Sequence, residues 1–375
     1  MTQIQMLYTK PEVGDSIETV DTPALVIDLD VVDRNIEAMF ANFKDKSVTI
    51  RPHLKTAKSP VFAKKLIELG ATGICVAKLS EAEVMAQNGV GDILITTEII
   101  GKAKMEKLFD LLRDHPAVRL VVDSKAGVDM LAAAAKAFQH KEQIMVLIET
   151  NVGQNRAGLE HPKDVVKLAK HIQDQNSLHF IGVQGYEGHV QLLRDESERK
   201  TKSKESMDKL GKIVSELKAA GIHVPVVTTG GTGTSPWCAE NDFVTEVQPG
   251  SFIFMDTAYR NAGQKFELAL HLVATVISKP DAKRAVIDSG YKSLSTDSGM
   301  PEVANIANLT YEPGGDEHGI LKSASGGEVA LEIGDRVTIT PSHIDTTINL
   351  HDYYYCHRQG KIEAIVPIAN RGKVQ

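Results

Sequence analysis

The sequence predicts an α/β fold, a TIM-type (β/α)8 barrel followed by an antiparallel β domain. Three observations carry the prediction. From about residue 46 onward, eight short β-branched apolar runs recur, most of them separated by segments of helical period. The runs are continuously apolar rather than alternating, as strands are in a parallel sheet covered on both faces. Past Ala262 the helical period stops, and strand-like runs alternate with glycine and proline turns.

The eight barrel strands are placed at 48–51, 73–77, 92–96, 119–122, 144–149, 180–185, 225–228 and 245–247. Helices are expected at 59–69, 80–88, 102–112, 125–138, 162–172 and 202–220. Several open on a start signal: Ser59 before Pro60, Ser80 with Glu83 three residues on, and His161 before Pro162. Eight βα units in about 210 residues have the count and size of a TIM barrel. A doubly wound open sheet is the rival, but no reversal of strand order is signalled. The region after Ala262 reads as strands at 268–278, 284–288, 330–331 with 336–340, 353–357 and 361–366. Turns at 279–281, 313–316, 326–327 and 358–360 divide them.

Bulk properties exclude several classes. A chain of 375 residues is too long for one ordinary core. Its 42% hydrophobic and 24% charged content is that of a soluble globular protein. With a net charge of -7 there is no excess of lysine and arginine to neutralise phosphates, which argues against a nucleic-acid partner. The three cysteines, Cys75, Cys238 and Cys356, are far apart and odd in number, as reduced thiols in a cytoplasm would be. Residues 1–15 hold no apolar leader run, and no stretch approaches a membrane span, so the expectation is a cytoplasmic protein without a membrane partner.

In a TIM barrel the working residues sit at the C-terminal ends of strands. The first strand runs into Arg51-Pro52-His53-Leu54-Lys55-Thr56. A partly desolvated lysine at a strand end has its pKa pushed down, which frees the amine to attack a carbonyl. Schiff-base chemistry with an aldehyde substrate or with pyridoxal phosphate is the use to which this points; an ordinary loop lysine is the alternative. The seventh strand ends in Thr228-Thr229-Gly230-Gly231-Thr232-Gly233-Thr234, and the eighth in Gln248-Pro249-Gly250-Ser251. Glycines there let backbone N–H groups crowd around an anion, at the place where such barrels hold a phosphate. A phosphate cup of Thr229, Gly230, Gly231, Thr232, Gly250 and Ser251 beside Lys55 gives both anchors that pyridoxal phosphate needs. His53, Tyr186 and Arg156 complete the candidate cofactor site. Arg156 could face the pyridine nitrogen and, because arginine keeps its proton, would leave that nitrogen unprotonated and the ring a weaker electron sink; a surface salt bridge is its other reading.

These segments, with Val152-Gly153-Gln154-Asn155-Arg156 and Pro341-Ser342-His343-Ile344-Asp345, resemble the D-threonine aldolase and D-serine dehydratase family. These are fold-type III, alanine-racemase-like pyridoxal phosphate enzymes. The likeness runs from Asp21-Thr22-Pro23-Ala24 to Ala369-Asn370-Arg371-Gly372, in the family's order. It implies that Lys55 carries the cofactor and that the opening strand, 24–28, joins the C-terminal β domain. The domains are then 30–262 for the barrel and 1–29 with 263–375 for the β domain. It further implies a homodimer whose active site borrows residues from the partner's β domain.

The resemblance also gives meaning to His343 and Asp345. On an extended segment the two side chains project to one face and could grip one divalent ion, leaving positions open for water and substrate. Dehydratase members have cysteine in place of Asp345, which suits zinc. The aspartate here, a hard ligand, favours Mn²⁺, Mg²⁺ or Co²⁺ and the aldolase. His351-Asp352 is a second, weaker pair. In place of the family's common Tyr-His-Gly run the chain has Tyr186-Glu187-Gly188-His189, so the candidate base is Glu187 or His189. The leading expectation is an aldolase that cleaves a D-3-hydroxy amino acid to glycine and an aldehyde. A dehydratase giving a keto acid and ammonia is the first rival, and a non-catalytic pyridoxal phosphate carrier the second.

Overall fold

The computed structural model describes residues 11–375, so residues 1–10, which fall in the segment assigned to the β domain and in the stretch read for a leader, lie outside the described residues. Two compact units divide the chain. One holds residues 36–252, 259–265 and 372–375; the other holds residues 11–35, 253–258 and 266–371.

Strand β1 (Ala24–Asp28) belongs to the second unit. The first unit contains β2 (Thr49–Ile50), β3 (Ile74–Val76), β4 (Ile93–Ile95), β5 (Arg119–Val122), β6 (Ile144–Glu149), β7 (Leu178–Gly185), β8 (Val226–Thr229) and β9 (Glu246–Val247). Each lies within or overlaps one of the eight apolar runs. All pair in parallel, in the order β2-β9-β8-β7-β6-β5-β4-β3. A bridge between His53 and Cys75 joins the extension of β2 to β3 and closes the ring. Leu54 N–H donates to the Cys75 carbonyl and Cys75 N–H to that of Pro52, both at 2.8 Å. The closed ring excludes the doubly wound alternative.

The strands are largely apolar because side chains pack on both sides of the sheet. Cys75, Leu94, Val121, Leu147 and Ile181 form one buried cluster, with Met145 and Val226 against it. Each such side chain stabilises the fold by about 1.5–3 kcal/mol on burial. Charge gathers instead around Arg51, just past β2, and Asp92, Arg119 and Glu246 at the starts of β4, β5 and β9. Arg51, only 1% exposed, donates from Nε to Glu246 and from Nη1 to Asp92, both at 2.8 Å, and Arg119 meets Asp92 at 2.9 Å. Two carboxylates are needed there because a buried guanidinium left alone costs several kcal/mol. Between β6 and β7 the register slips at Gly182, whose φ is +151°. A Cβ at that position would stand 1.8 Å from the Val226 carbonyl oxygen, so only glycine fits.

Helix starts follow the sequence signals with one correction. Ser59 caps the helix Pro60–Glu68 by accepting from Val61 N–H at 3.3 Å, with Pro60 in the first turn. Ser80 is not a cap: the helix Leu79–Gln87 begins one residue earlier, with Lys78 in the cap position. Glu81 does the capping, accepting from Ala77 and Lys78 N–H at 2.9 and 3.2 Å. The helix Leu29–Ala41, for which the sequence reading made no provision, follows β1 directly.

The second unit is a nine-stranded sheet of β1 with β10 (Leu270–Asp281), β11 (Arg284–Ile287), β12 (Glu302–Val303), β13 (Leu309–Pro313), β14 (Gly319–Ser323), β15 (Arg336–Thr340), β16 (Tyr353–Arg358) and β17 (Lys361–Pro367). β1 lies antiparallel to β10 and parallel to β16, so the opening strand does join the C-terminal sheet. Val20, Ala24, Val26, Val273 and Ile362 pack beneath it. β12, β13 and β14 are additional to the predicted strands, and residues 330–331 are not in a strand. Among the described residues no helix is long and apolar enough to cross a membrane.

Candidate active site

The C-terminal ends of the barrel strands surround a cavity of about 250 Å³. Of the residues singled out from the sequence, His53, Lys55, Arg156, Tyr186, Gly231, Thr232, Gly250 and Ser251 line it. Thr229, Gly230, Glu187 and His189 are not among the lining residues.

Lys55 follows the bridge that closes the barrel and is half-buried. The neighbouring Lys58 is buried and committed elsewhere, 2.7 Å from Glu81. His53 Nδ1 accepts from Lys55 N–H at 3.3 Å, so the ring proton resides on Nε2. Nε2 then donates to Thr96 Oγ1 at 3.0 Å, and that hydroxyl donates to the Val76 carbonyl at 3.1 Å. This chain of bonds fixes both the tautomer and the ring plane of His53. Arg156 lies over the Tyr186 ring, 5.8 Å from its centroid, which supports the guanidinium without removing it from solvent.

The loop between β8 and the short helix Ser235–Cys238 departs from the expected cup in one respect. Gly230 N–H donates to Glu187 and Gly231 N–H to Thr234 Oγ1, so neither is directed at a ligand. Thr229 turns its hydroxyl to the Gly185 carbonyl at 2.6 Å. Among the described residues the Thr232 and Gly250 N–H groups make no hydrogen bond to the protein, and Thr56 Oγ1, which also lines the cavity, is a buried hydroxyl without a partner. A Cβ on Gly250 would fall 2.8 Å from the His53 carbonyl oxygen and 3.2 Å from Thr56 Oγ1. A pinched backbone with open donors and an orphan hydroxyl fits a phosphate group.

Glu187 does not fulfil the expectation of a base. It is fully buried, and both oxygens accept hydrogen bonds from the loop at and after the end of β8. His189 is exposed and packs on Gly153, where a Cβ would come within 2.9 Å of its ring. Partial burial holds its imidazole below the ordinary value, against the charge of Glu187 and with Lys209 and Lys202 adding to the effect.

Sequence reasoning missed the polar floor of the cavity. Glu149, Gln184 and Gln248 line it, the Gln184 amide donating to Glu149 Oε2 at 2.5 Å and Gln248 donating to Gln184 Oε1 at 3.0 Å and Thr228 Oγ1 at 2.8 Å. Burial pushes Glu149 up to about 8, against the Gln184 hydrogen bond. Glu98 is raised as well, chiefly by burial. The only sequence signal was position: Glu149 is the last residue of its strand, where barrel side chains face the mouth.

In the second unit, residues 344–348 are helical, which corrects the picture of an extended His343–Asp345 segment. His343 is the extended cap residue and Asp345 lies in the first turn. Strand alternation therefore does not set their geometry. His343 Nδ1 meets Asp297 Oδ2 at 2.7 Å, and Asp297 Oδ1 accepts from Ser295 and Thr346 hydroxyls. Although burial alone would raise it, these hydrogen bonds hold the Asp297 carboxyl below its ordinary range. The rival pair is engaged in structure: His351 Nε2 contacts the Ser293 carbonyl at 2.7 Å, and Asp352 pairs with Arg371 at 2.5 Å. Among the described residues no three His, Cys, Asp or Glu side chains converge as a metal cluster. An imidazole whose Nε2 faces away from the carboxylate on its Nδ1 is a donor suited to a borderline divalent ion.

Comparison with known proteins decides the lineage. Residues 27–258 match the family model "Alanine racemase, N-terminal domain", and residues 269–357 match "Putative serine dehydratase domain". A D-threonine aldolase from Arthrobacter sp is 36% identical over 96% of this chain and 95% of its own length. The chain belongs to the D-threonine aldolase and D-serine dehydratase family. In that family, the crystal structure of D-threonine aldolase from Filomicrobium marinum superposes with a TM-score of 0.93 at 35% identity, covering 98% of this chain and all of the other. The D-threo-3-hydroxyaspartate dehydratase from Delftia sp. HT23 gives 0.86 at 29% identity, covering 94% of this chain and 99% of its own. The chain is thus a lyase on the alanine-racemase-like fold, which sets aside the non-catalytic carrier.

Proposed function

We propose that this family member is a pyridoxal phosphate- and divalent-metal-dependent aldolase that cleaves D-3-hydroxy amino acids, D-threonine among them, to glycine and an aldehyde. The observation that carries the reading is one cavity lined by Lys55 and by Gly231, Thr232, Gly250 and Ser251. Lys55 would hold the cofactor through its amine, and the Thr232 and Gly250 amides with the Thr56 and Ser251 hydroxyls would hold its phosphate. Arg156 is the partner assigned to the ring nitrogen. Pyridoxal phosphate supplies an electron sink for the bond broken at the substrate's Cα, a weak sink where the ring nitrogen stays unprotonated.

His343 and Asp345 would hold the ion, whose chemistry is to lower the pKa of the substrate's 3-hydroxyl. Asp297 accepts the Nδ1 proton of His343 and so leaves the Nε2 lone pair for the ion. His189, whose pKa partial burial lowers, is the base assigned to that hydroxyl. Glu149, neutral near pH 7, adds no charge to oppose a bound anion. The reading includes a cytoplasmic homodimer with shared active sites.

The dehydratase is the second reading, favoured by the close superposition on the Delftia enzyme. Asp345 favours the aldolase, since a hard carboxylate selects Mn²⁺, Mg²⁺ or Co²⁺ over zinc. The deciding experiment incubates metal-loaded enzyme with a panel of D-3-hydroxy amino acids. The aldolase gives glycine and aldehyde in equal amounts, and a chelator abolishes cleavage while bound pyridoxal phosphate, read by its absorbance, remains. Ammonia and a keto acid as sole products, or full activity in chelator, would sink the reading.

A further inference from the structure

Glu187 poses a problem of charge. A carboxylate that is fully buried stands under a loop that the proposed function assigns to an anion, where its own field opposes binding. Its hydrogen bonds show a different task. Oε2 accepts from Gly230 N–H at 3.3 Å. Oε1 accepts from the Thr234 hydroxyl, from Gln191 Nε2 at 3.3 Å and from Cys238 Sγ at 3.4 Å. Thr234 Oγ1 in turn accepts from Gly231 N–H at 3.2 Å and from Gln191 Nε2 at 2.8 Å, and Gln191 Oε1 accepts from Gly233 N–H at 2.9 Å. Thr234 N–H returns to the Gly231 carbonyl at 3.2 Å.

Every amide from Gly230 to Thr234 is thereby fixed, directly or through one relay, except that of Thr232. The fit is close: a Cβ on Gly231 would lie 2.6 Å from Gln191 Oε1. Thr232 is held from the other side, its Oγ1 accepting from Phe252 N–H at 3.1 Å. Resting on the cofactor reading above, we infer that Glu187 is a positioning residue that clamps the loop so that the Thr232 amide alone is left for the cofactor's phosphate. Only an acceptor-only group can do this, because every neighbour presents a donor hydrogen.

The test is a comparison of ligands that differ only in the phosphate. Wild type, Glu187→Gln and Thr234→Val are stripped of cofactor, and each is titrated with pyridoxal 5′-phosphate and with pyridoxal. Glu187→Gln replaces one acceptor by a donor facing donors; Thr234→Val removes the relay at nearly constant volume. Both variants lower the preference for pyridoxal 5′-phosphate by about tenfold, the loss of one charge-assisted hydrogen bond, while affinity for pyridoxal is unchanged. The ³¹P resonance of the bound phosphate shifts with it. If Glu187→Gln fails to fold, Thr234→Val decides alone. A preference kept in the folded variants overturns the clamp, as does an equal loss for both ligands, which marks general destabilisation. A wild type with no preference overturns the phosphate cup itself and the clamp with it.

Discussion

Replacing Glu149 with glutamine should make the protein more stable, and only above mildly acidic pH. Burial raises this carboxyl from its ordinary 4.5 to about 8. The folded chain therefore keeps a proton across an interval in which the unfolded chain has lost it. The native state binds more protons there, so stability is full below the unfolded pKa and falls as pH rises through the folded one. Each pH unit inside the window costs about 1.4 kcal/mol, which amounts to about 3 kcal/mol at pH 7 and about 5 kcal/mol above pH 8. Glutamine keeps the oxygen that accepts from Gln184 and carries no charge to desolvate. Urea unfolding of the cofactor-free protein, from pH 4 to 9 at constant ionic strength, measures the difference between wild type and Glu149→Gln. The two stabilities should coincide near pH 4.5 and part steadily above it. Parallel curves, or a variant weaker at every pH, would refute the argument and place an ionised Glu149 in the cavity floor.

Two further predictions concern the machinery. Borohydride should fix the cofactor to the peptide that carries Lys55, and Lys55→Ala should lose that label; attachment at Lys58, buried against Glu81, would overturn the assignment. If each active site takes Lys55 from one subunit and Asp345 from its partner, Lys55→Ala co-expressed with Asp345→Ala should regain about a quarter of wild-type activity, since half of the randomly paired dimers contain one complete site. No recovery in isolated mixed dimers would show that both residues serve within one chain.

How much of this was legible in the sequence depended on the kind of signal. The barrel strands were readable because a run such as Ile144–Glu149 is apolar on both faces and leaves no doubt of its burial. Their helices were readable from caps such as Ser59-Pro60. β12, β13 and β14 were not: two residues in one case, a half-exposed pattern with a terminal proline in another, and a glycine start in the third give no period to recognise. The site shows the same divide. Lys55 and Gly231 stood out because each is placed by a strand end. Glu187 stood as one of two candidate bases because its bonding partners Thr229 and Thr234, which hold it buried, lie more than forty residues away in sequence. Gln184 and Gln248 were invisible for the opposite reason, because a glutamine at a strand end has no chemistry of its own until its neighbours are known.

The position of β1 has a consequence for synthesis. The strand is made before every other described strand, yet one of its neighbours is β16, more than three hundred residues later. At translation rates of about 5–20 residues per second, that neighbour arrives tens of seconds afterwards. Throughout that time Ala24-Leu25-Val26-Ile27 is an apolar strand with an open edge, while the barrel encoded between β1 and β10 can be completed. Aggregation in a cell should therefore depend less on the stability of the finished enzyme than on what shelters these few residues during translation. Placing β1 after β17 by circular permutation would shorten the wait to β17, the residues after it and a linker.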